Sequence, residues 1–541
     1  MSRMERSLLN QPDVYWARAA AEEVVRAFPD LPVYTVSSGI SPSGEIHFGN
    51  FREIMTQHAV AEELRKMGKK VHFVFVWDEF DALRKIPAGV DPSWEAHLRK
   101  PLTSVPDPLG NYPSWAKRHE AAFEKSLAEL DINVEFRYQT AVYESGAYDD
   151  AIVKALRERE TIAKILLSHM SEKSKQAKEI DEADFIASYY PVSVFSSFTG
   201  KDTTEILSYD GDSMLAYRCQ ETGKEETISL RERHIVKLAW KTDWAMRWAD
   251  MGVNFESAGK DHLSPDGSYD VSQDIVKSVY GTEAPLSLAY EFIGIRGLGA
   301  KMSGSKGNAV TPGALMEIYE TPLLLWLYFR KQPFQRFDLA FDSEILRQYA
   351  ELDAEVEKLR AGKLSEPDVE ALRLAGADTL SNKLIPFRQA IAFGQIVQWD
   401  VDKVVYMLES LDLHYDRASV ESRLKKAQAY LEKHHPEDAV ALLGETNRFY
   451  RSNMSHDRLG LISKLREVLS NGEDDIAKLE VLMYDIPKRE GMSEEEKKKA
   501  QRDFFKDVYQ LLIGKDTGPR LSTFLWATDR ERVLGLLQTD L

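Results

Sequence analysis

The chain has 541 residues, which at roughly 150 residues per domain predicts three or four domains; its 43% hydrophobic and 29% charged residues exclude a disordered or fibrous protein. A single cysteine, Cys219, excludes an intramolecular disulfide framework and a four-cysteine metal site, while the lack of a secretory segment and of long apolar runs predicts a cytoplasmic protein that does not enter a membrane. The net charge of −17 disfavours nucleic-acid binding by the whole surface, but it leaves room for a local basic groove.

The first elements predict a strand, a glycine-rich turn, a helix and a second strand. Helical spacing over 11–31 precedes a β-branched run, 33–37, that stops abruptly at serine, glycine and proline. A helix is predicted over 49–68, and an apolar strand over 70–77. This order is typical of a βαβ unit, whose parallel strands predict an α/β core.

An insertion interrupts this core. A helix near 115–130 and a strand over 132–138 extend the first sheet, and residues 151–230 then hold a charged helix and short β-like pieces. Within them the tripeptide Thr-Gly-Lys ends at Lys201 and again at Lys224, which indicates two similar knuckles.

The remainder of the chain resumes the core and then becomes helical. We expect one parallel-sheet domain to be formed by 1–150 and 231–342, with 151–230 as the inserted small domain. Residues 343–541 are rich in helix-forming residues and poor in strand signals, which predicts an all-α C-terminal half.

The glycine-rich turn over 39–50 is suited to binding phosphate. Its small residues let the backbone turn sharply, and the helix that follows offers free N–H groups and a positive dipole end. His47 and Asn50 can donate hydrogen bonds toward the same place. The spacing is neither that of a dinucleotide-binding turn nor that of a Walker loop, and taken alone a strand, turn and helix with one histidine is often structural.

A second glycine-rich loop, 301–308, contains two lysines and several hydrogen-bond donors. Such a loop can close over a triphosphate and neutralise the charge that develops as pyrophosphate leaves. Taken alone, the sequence of this loop is also compatible with an ordinary surface loop. Its occurrence about 250 residues after the first turn favours a nucleotide site.

Together the two loops resemble the two signature motifs of class I aminoacyl-tRNA synthetases, here His47-Phe-Gly-Asn50 and Lys301-Met-Ser-Gly-Ser305. Five stretches are similar, more narrowly, to class I (archaeal-type) lysyl-tRNA synthetase: SGISPSGEIHFGNFRE, WDEFDALRKIP, WKTDWAMRW, ESAGKDH and KMSGSKGN. The resemblance is strong from about residue 12 to 335 and weaker in the tail. It implies a Rossmann-type catalytic domain that activates L-lysine with ATP and transfers it to the 3′-terminal ribose of tRNA(Lys).

The resemblance also implies site residues for the nucleotide. The catalytic positions are His47, Asn50, Lys301 and Lys306, and the ATP-binding positions are Pro42, Gly44, His47, Gly49, Asn50, Lys301, Met302, Ser303, Ser305 and Lys306. Lys306 would replace the motif lysine, because the fourth position is Gly304. Mg²⁺ is expected with ATP. The substrate carboxylate is itself the nucleophile, so positioning and electrostatics should dominate the rate.

For the amino acid, the resemblance implies binding by Gly39, Ser41, Asp78, Trp240, His262 and Tyr290. Ser41 departs from the threonine of many relatives. A lysine side chain needs acceptors for its ammonium group and apolar walls for its methylenes. Asp78 follows a predicted strand, where open α/β sheets bind ligands, with Asp81 and Asp243 as competitors. The aromatic residues and His262 also suit ordinary core or loop positions.

In several relatives the two knuckles bind zinc. The four ligand positions here are Ser196, Thr199, Cys219 and Thr222. One thiolate cannot hold structural zinc, so we expect the insertion to fold without metal, near the acceptor end of tRNA.

The helical half would contain the anticodon-binding region. Its candidate contacts are Trp399, Tyr406, Tyr415, Tyr430, Phe449, Tyr450 and Arg451, none of which is assigned, because aromatic residues of a helical bundle are usually core. A monomer is expected.

Three alternative functions remain open. The first is a class I synthetase for glutamate or arginine, although acidic residues after the second strand disfavour glutamate. The second is a tRNA-binding paralogue without full charging activity, which the presence of His47, Lys301 and Lys306 disfavours. The third is lysine activation for peptide-antibiotic chemistry, against which the helical tail of about 200 residues favours tRNA binding.

Overall fold

The computed structural model describes residues 3–86, 89–296, 310–381, 383–472 and 475–539. The strands are β1 (Tyr34–Ile40), β2 (Val71–Trp77), β3 (Glu135–Tyr138), β4 (Val192–Val194), β5 (Thr204–Tyr209), β6 (Met214–Cys219), β7 (Glu225–Ser229), β8 (Val236–Leu238), β9 (Val253–Phe255), β10 (Ala258–Gly259), β11 (Ala289–Tyr290), β12 (Gly294–Ile295) and β13 (Asp338–Leu339). The helices are α1 (Arg6–Leu9), α2 (Trp16–Ala27), α3 (Phe51–Lys66), α4 (Trp115–Glu129), α5 (Gln139–Glu144), α6 (Asp149–Arg157), α7 (Arg159–Ser168), α8 (Glu172–Ala177), α9 (Glu182–Ser188), α10 (Trp240–Met251), α11 (Ser268–Ile275), α12 (Pro312–Ile318), α13 (Thr321–Phe329), α14 (Glu344–Arg360), α15 (Glu366–Leu374), α16 (Phe387–Ile396), α17 (Val401–Ser410), α18 (Arg417–His434), α19 (Arg448–Ser452), α20 (His456–Ser470), α21 (Ile476–Asp485), α22 (Glu494–Ile513), α23 (Leu521–Ala527) and α24 (Arg530–Leu536).

The central sheet is parallel, with the strand order β3-β2-β1-β9. Tyr34 to Ile40 pair with Val71 to Trp77 in continuous register. The last five residues of β2 are all buried, as expected of a strand covered on both faces. The predicted α/β core is therefore confirmed, and the turn between β1 and α3 lies at the carboxyl edge of the sheet.

The insertion contains an antiparallel sheet, β5-β6-β7, and its strand β4 pairs antiparallel with β8, which lies after residue 230. The prediction of one charged helix at its start is wrong, since the chain forms α6, α7 and α8 instead. The helical path is interrupted at Glu158, with φ −93° and ψ 15°, and the Ser171 side chain starts α8 by accepting a hydrogen bond from the Ser174 N–H. Local breaks and caps of this kind override helical periodicity.

Two compact units divide the chain. The first comprises 1–316, 324–339 and 364–376, and the second comprises 317–323, 340–363 and 377–541. The predicted helical character of the C-terminal half is confirmed, since α14 and α16 to α24 lie in the second unit. None of the described helices is both long and apolar enough to cross a bilayer.

A buried arginine organises the core of the second unit. The Arg423 side chain is fully buried, and it donates to Glu320 at 3.0 Å, to Asp353 at 2.6 and 2.8 Å, and to the Ile385 carbonyl oxygen at 2.6 Å. A buried guanidinium is stable only when its donors are satisfied in this way. The arginine thus joins α18 to α14 and to the segment before α13.

Candidate active site

A cavity of about 580 Å³ opens beyond the carboxyl ends of β1 and β2. Five of the predicted amino-acid-binding residues line it: Gly39, Ser41, Asp78, Trp240 and His262. They come from strand ends, from the start of α10 and from the loop after β10. Parallel α/β sheets bind ligands at this edge, so the structure brings these five positions together as one site.

The first glycine-rich turn holds His47 in a defined position. The Asn50 N–H donates to the His47 carbonyl oxygen at 2.9 Å, and a Cβ added to Gly49 would lie 2.8 Å from His47 Nδ1. Only glycine therefore allows the imidazole to lie against the turn. Burial lowers the pKa of His47, which favours a neutral ring, and its Nδ1 has no partner among the described residues.

Asn50 immediately precedes α3, and its side chain does not cap the helix. The N–H groups of Phe51 and Arg52 donate to the carbonyl oxygens of Phe48 and Gly49 at 3.1 and 3.2 Å, so the turn presents the positive end of the helix dipole beside His47. Helix N-termini of this kind favour anionic ligands.

The second loop, with Lys301, Met302, Ser303, Ser305 and Lys306, lies outside the described residues. Val310, which follows that loop in the sequence, contacts the first motif: its carbonyl oxygen accepts a hydrogen bond from the Phe48 N–H at 2.9 Å. The Tyr328 hydroxyl donates to the Phe48 carbonyl oxygen at 3.0 Å. Both backbone polar groups of Phe48 are therefore bonded to residues that follow the second loop.

The three acidic candidates for binding lysine already have cationic partners. Arg247 lies 2.8 Å from Asp78 and 3.1 Å from Asp243, and Lys237 forms an ion pair with Asp81. Although burial alone would lower it, the pKa of Lys237 is raised by Asp81, so this pair stays charged. A substrate ammonium at Asp78 would have to compete with Arg247.

Glu53, which the sequence reasoning missed, lines the same cavity. Its carboxylate accepts from the Ser38 hydroxyl at 3.0 Å, the Gly39 N–H at 3.2 Å and the Tyr290 hydroxyl at 3.0 Å. Burial, together with the charge of Glu256, raises the pKa of Glu53 to about 7. Tyr290, which was predicted to bind the amino acid, is buried and donates to this carboxylate, but it is not among the described residues that line the cavity.

Glu256 is a second carboxylate that the sequence reasoning missed, and it also lines the cavity. Its two oxygens accept from the indole N–H groups of Trp244 at 3.1 Å and Trp248 at 2.7 Å. Burial raises the pKa of Glu256. Among the described residues, neither Glu256 nor Glu53 takes part in an ion pair, although the charge of Arg247 acts on Glu256; buried acids usually have such a pair.

Of the predicted amino-acid-binding residues, Trp240 and His262 are not buried in the core. Trp240 is 46% exposed, and its ring centroid lies 4.8 Å from that of Trp244 and 5.6 Å from that of His262. These rings form an apolar wall of the cavity that Glu53 and Glu256 also line. Such a combination suits an aliphatic chain that ends in a cation.

The two knuckles do not fit a zinc ion. The Thr199 hydroxyl lies 3.9 Å from the Cys219 sulfur. Burial alone would raise the pKa of Cys219, but hydrogen bonds from Ser196 and Thr222 lower it to about 7. One thiol surrounded by three hydroxyls lacks the donor set of structural zinc sites.

We expect the triple variant Ser196→Cys, Thr199→Cys and Thr222→Cys to bind one zinc ion per chain, because the 3.9 Å separation is close to the roughly 3.8 Å between sulfurs around tetrahedral zinc. Metal analysis after dialysis checks this, with the unchanged protein as control. The unchanged protein should keep its melting temperature in a strong chelator. Stoichiometric zinc in the unchanged protein would contradict the prediction.

Two of the candidate anticodon contacts in the second unit are exposed. Phe449 is 83% exposed, and Tyr406 is 59% exposed with its ring stacked on Trp526. Tyr430 is buried, and Tyr450 donates its hydroxyl hydrogen to Asp507. Phe449 and Tyr406 are therefore better suited to contact a base of the tRNA than Tyr430 and Tyr450.

Comparison with known proteins matches the chain to one family over most of its length. The family model described as tRNA synthetases class I (K) matches residues 14–374. The lysine–tRNA ligase of Streptomyces coelicolor is 38% identical, over 96% of this chain and 98% of the relative. The lysine–tRNA ligases of Thermococcus kodakarensis and Pyrococcus horikoshii are 34% and 33% identical, each over 97% of this chain and 100% of the relative.

Proposed function

Because the chain belongs to the class I lysyl-tRNA synthetase family, we propose that its cavity activates L-lysine with ATP to lysyl-adenylate and transfers lysine to the 3′-terminal ribose of tRNA(Lys). The lysine–tRNA ligase function follows from the family. The observation that carries its assignment to this cavity is the pair of carboxylates, Glu53 and Glu256, that line it and that form no ion pair with another described residue. A glutamate-specific pocket would need cations at this place.

In the first step the lysine carboxylate oxygen attacks the α-phosphorus of ATP, and the bond to the bridging oxygen of pyrophosphate breaks. No proton moves, so the residues act by position and charge. His47 and Asn50 would contact the phosphates and ribose, with Pro42, Gly44 and Gly49 shaping the turn. Support comes from His47 Nδ1, which has no hydrogen-bond partner among the described residues, and from the start of α3 four residues later.

The cations for pyrophosphate are proposed from the sequence motif. Lys301 and Lys306 would neutralise the leaving group, and Met302, Ser303 and Ser305 would complete the loop. Mg²⁺ enters with the triphosphate as part of the substrate. In the second step the terminal ribose hydroxyl attacks the adenylate carbonyl carbon and gives up its proton to the departing phosphate, while the bond from that carbon to the phosphate oxygen breaks and AMP leaves.

Lysine would lie between the strand ends and the aromatic wall. Glu53, held by Tyr290, and Glu256 would receive its ammonium groups, while Trp240 and His262 would cover its methylenes. Gly39 leaves room beside β2, since a Cβ there would lie 3.1 Å from the Val76 carbonyl oxygen. Ser41 would contribute a hydroxyl, and Asp78 would act chiefly by holding Arg247.

The remaining domains would bind the tRNA. We assign the anticodon region to the helices of 343–541 and the acceptor end to the neighbourhood of the insertion, 151–230. The protein would act as a monomer in the cytoplasm, with tRNA, lysine and ATP as its partners.

The KM for lysine is expected to fall about tenfold between pH 6 and pH 8 and to change little above. The free site binds a proton at Glu53, whose pKa is about 7, whereas the ammonium group pairs with the ionised carboxylate. Raising the pH through 7 therefore removes a proton that opposes binding. Steady-state ATP–pyrophosphate exchange across this range measures the effect.

The variant Glu53→Gln provides the control for this pH dependence. It cannot titrate, so its KM for lysine, although higher, should stay level between pH 6 and pH 8. A slope that persists in the variant would assign the titration to another group.

Aminoacylation of tRNA(Lys) with lysine, arginine, ornithine or glutamate tests the proposed function. We expect charging by lysine alone, and exchange assays should include tRNA because some class I synthetases need it for activation. Charging by arginine or glutamate would overturn the specificity. Binding of tRNA without charging of any of the four would instead indicate a paralogue that has lost the reaction.

A further inference from the structure

We propose that the second unit holds a reversible zinc-binding site, formed by His435, Glu437 and Asp438 at the end of α18. Within the ranges that the structure describes, this is the one group of three such side chains whose ligand atoms all lie within 4.8 Å of one another. None of the three lines the cavity or belongs to the knuckles. The inference therefore does not depend on the proposed function.

A turn that contains proline brings the three side chains together. The N–H of His435 still donates to the Leu431 carbonyl oxygen of α18, at 3.0 Å. Pro436 cannot continue the helix, and the chain forms a single 3-10 turn over Pro436–Asp438. The Asp438 N–H closes this turn on the His435 carbonyl oxygen at 3.0 Å. The residues two and three positions after the histidine thus return to it.

The imidazole of His435 is oriented by a hydrogen bond on the other side of the ring. Its Nε2 lies 2.7 Å from the Phe341 carbonyl oxygen. A carbonyl oxygen can only accept, so Nε2 carries a proton, and in the neutral ring Nδ1 then has a free lone pair. Histidines that bind a metal usually donate from their second ring nitrogen in this way.

The distances at Nδ1 fit a shared metal ion better than a hydrogen bond. Nδ1 of His435 lies 3.4 Å from Glu437 Oε1 and 3.8 Å from Asp438 Oδ2. A hydrogen bond from a protonated imidazole to a carboxylate would be about 2.7–2.9 Å long. Two ligand atoms that are each about 2.1 Å from a tetrahedral zinc ion lie about 3.4 Å apart. An ion among the three atoms therefore accounts for separations that are too long for a proton.

Neither the Glu437 nor the Asp438 carboxylate pairs with a lysine or an arginine in the part of the chain that the structure describes. Their ion-pair partner there is the His435 ring. The Lys515 ammonium group donates instead to the carbonyl oxygens of Glu437 and Ala439, at 2.9 and 3.0 Å. It holds the backbone of the turn and leaves the carboxylate oxygens available to another cation.

A third carboxylate adds to the negative charge at this place. Burial raises the pKa of Tyr430 to about 12, and three carboxylates contribute to the rise: Asp438, Asp342 and Glu437. The ring centroid of this tyrosine lies 4.6 Å from that of His435. The imidazole is therefore surrounded by several negative charges, which attract a divalent cation more strongly than a monovalent one.

The donor set favours zinc over magnesium. An imidazole nitrogen suits zinc, whereas Mg²⁺ prefers six oxygen ligands in an octahedron. The side chains of Glu437 and Asp438 are 69% and 70% exposed, so water can complete the coordination. For three ligands in contact with water we expect a dissociation constant of about 10 µM. Dialysis removes such an ion, which distinguishes this site from a structural zinc site made of thiolates.

Calorimetric titration of the dialysed full-length protein with zinc chloride measures the affinity. We expect one ion per chain, and magnesium chloride at about 100 times the dissociation constant for zinc should not displace it. His435→Gln removes the nitrogen ligand and should weaken zinc binding about 100-fold. The double variant Glu437→Gln and Asp438→Asn keeps the size of both side chains and should weaken it at least as much.

His414→Gln is the matched control. His414 lies 3.0 Å from Asp412 at the surface, but it belongs to no group of three ligands among the described residues. Its zinc affinity should equal that of the unchanged protein. Zinc at about 20 times its dissociation constant should raise the melting temperature of the unchanged protein and of this control by about 3 °C, and that of His435→Gln by less than about 1 °C.

Two results would overturn the inference directly. The first is the absence of zinc binding by the unchanged protein. The second is equal zinc affinity in His435→Gln, which would place the ion elsewhere, for example at Cys219. Magnesium binding as tight as zinc binding would also overturn it, because the imidazole would then contribute nothing to the choice of ion. Circular dichroism of each variant shows whether the helices remain folded.

Discussion

Replacing Glu53 by glutamine is expected to lower kcat/KM for lysine about a thousandfold, equivalent to about 4 kcal/mol. The amide keeps the size of the side chain and can still accept from the Gly39 N–H. It cannot neutralise an ammonium group that has left water, and the loss of one partner from a buried charge pair costs far more than the loss of an exposed one. ATP–pyrophosphate exchange at saturating ATP measures the change.

Glu62→Gln is the matched control for this variant. Glu62 lies on the same helix, where it pairs with Arg65 at the surface, and exposed pairs of this kind contribute little. We expect its kcat/KM for lysine to equal that of the unchanged protein. If Glu53→Gln reduced the affinity for ATP as strongly as that for lysine, Glu53 would be supporting the turn instead of binding the amino acid.

The second large effect is expected from His47→Ala, which should lower kcat between about a hundredfold and a thousandfold while changing the KM for lysine little. His47 is held beside the start of α3, and burial lowers its pKa, so a neutral ring meets the phosphates. A donor that is already in place at the developing charge stabilises the transition state without reorganisation. Single-turnover adenylate formation separates this step from product release.

Gly49→Ala tests the same placement without removing the imidazole. The added methyl group would come within 2.9 Å of two ring atoms of His47, so the ring must move, and we expect kcat to fall about tenfold. Gly313→Ala is the control, because its Cβ would meet only the Thr311 hydroxyl at 3.9 Å. Full activity of Gly49→Ala would mean that the observed position of His47 is not the one used in the reaction.

Much of the fold around the cavity was predictable from the local pattern of apolar residues and glycines in the sequence. The apolar run of β2 and the glycine-rich turn after β1 specify a βαβ unit whatever follows. Gly39, Ser41 and Asp78 then fall at one edge of the sheet because parallel strands end there. Trp240 and His262 were placed by family resemblance, and the cavity contains both.

The carboxylates of Glu53 and Glu256, which form no ion pair within the described part of the chain, were not predictable in this way. Glu53 resembles any acidic residue in the first turn of a helix, and its setting depends on Tyr290, 237 residues away. Glu256 follows a strand of only three residues, and its indole partners are visible as partners only once α10 packs against that strand. The helical spacing of Trp244 and Trp248 was the available signal.

Asp78, the first candidate for binding the lysine ammonium group, shows the same limit of prediction from sequence. Its position after β2 is as predicted, but the pairing with Arg247 joins residues that are 169 apart. The sequence pattern predicts that Asp78 lies at the end of a strand. Which cation pairs with it depends on the tertiary fold, which the pattern does not give.

The pairing of β1 with β9 has a consequence for synthesis of the chain. Thr35 lies next to Val253, and Val36 next to Phe255, so one side of β1 stays without its neighbour until the ribosome has released more than 250 residues. Local pairing with β2 can form early, whereas closing so long a loop is slow. A truncated product that ends within the insertion would therefore expose an open strand edge, the kind of surface through which nascent chains aggregate.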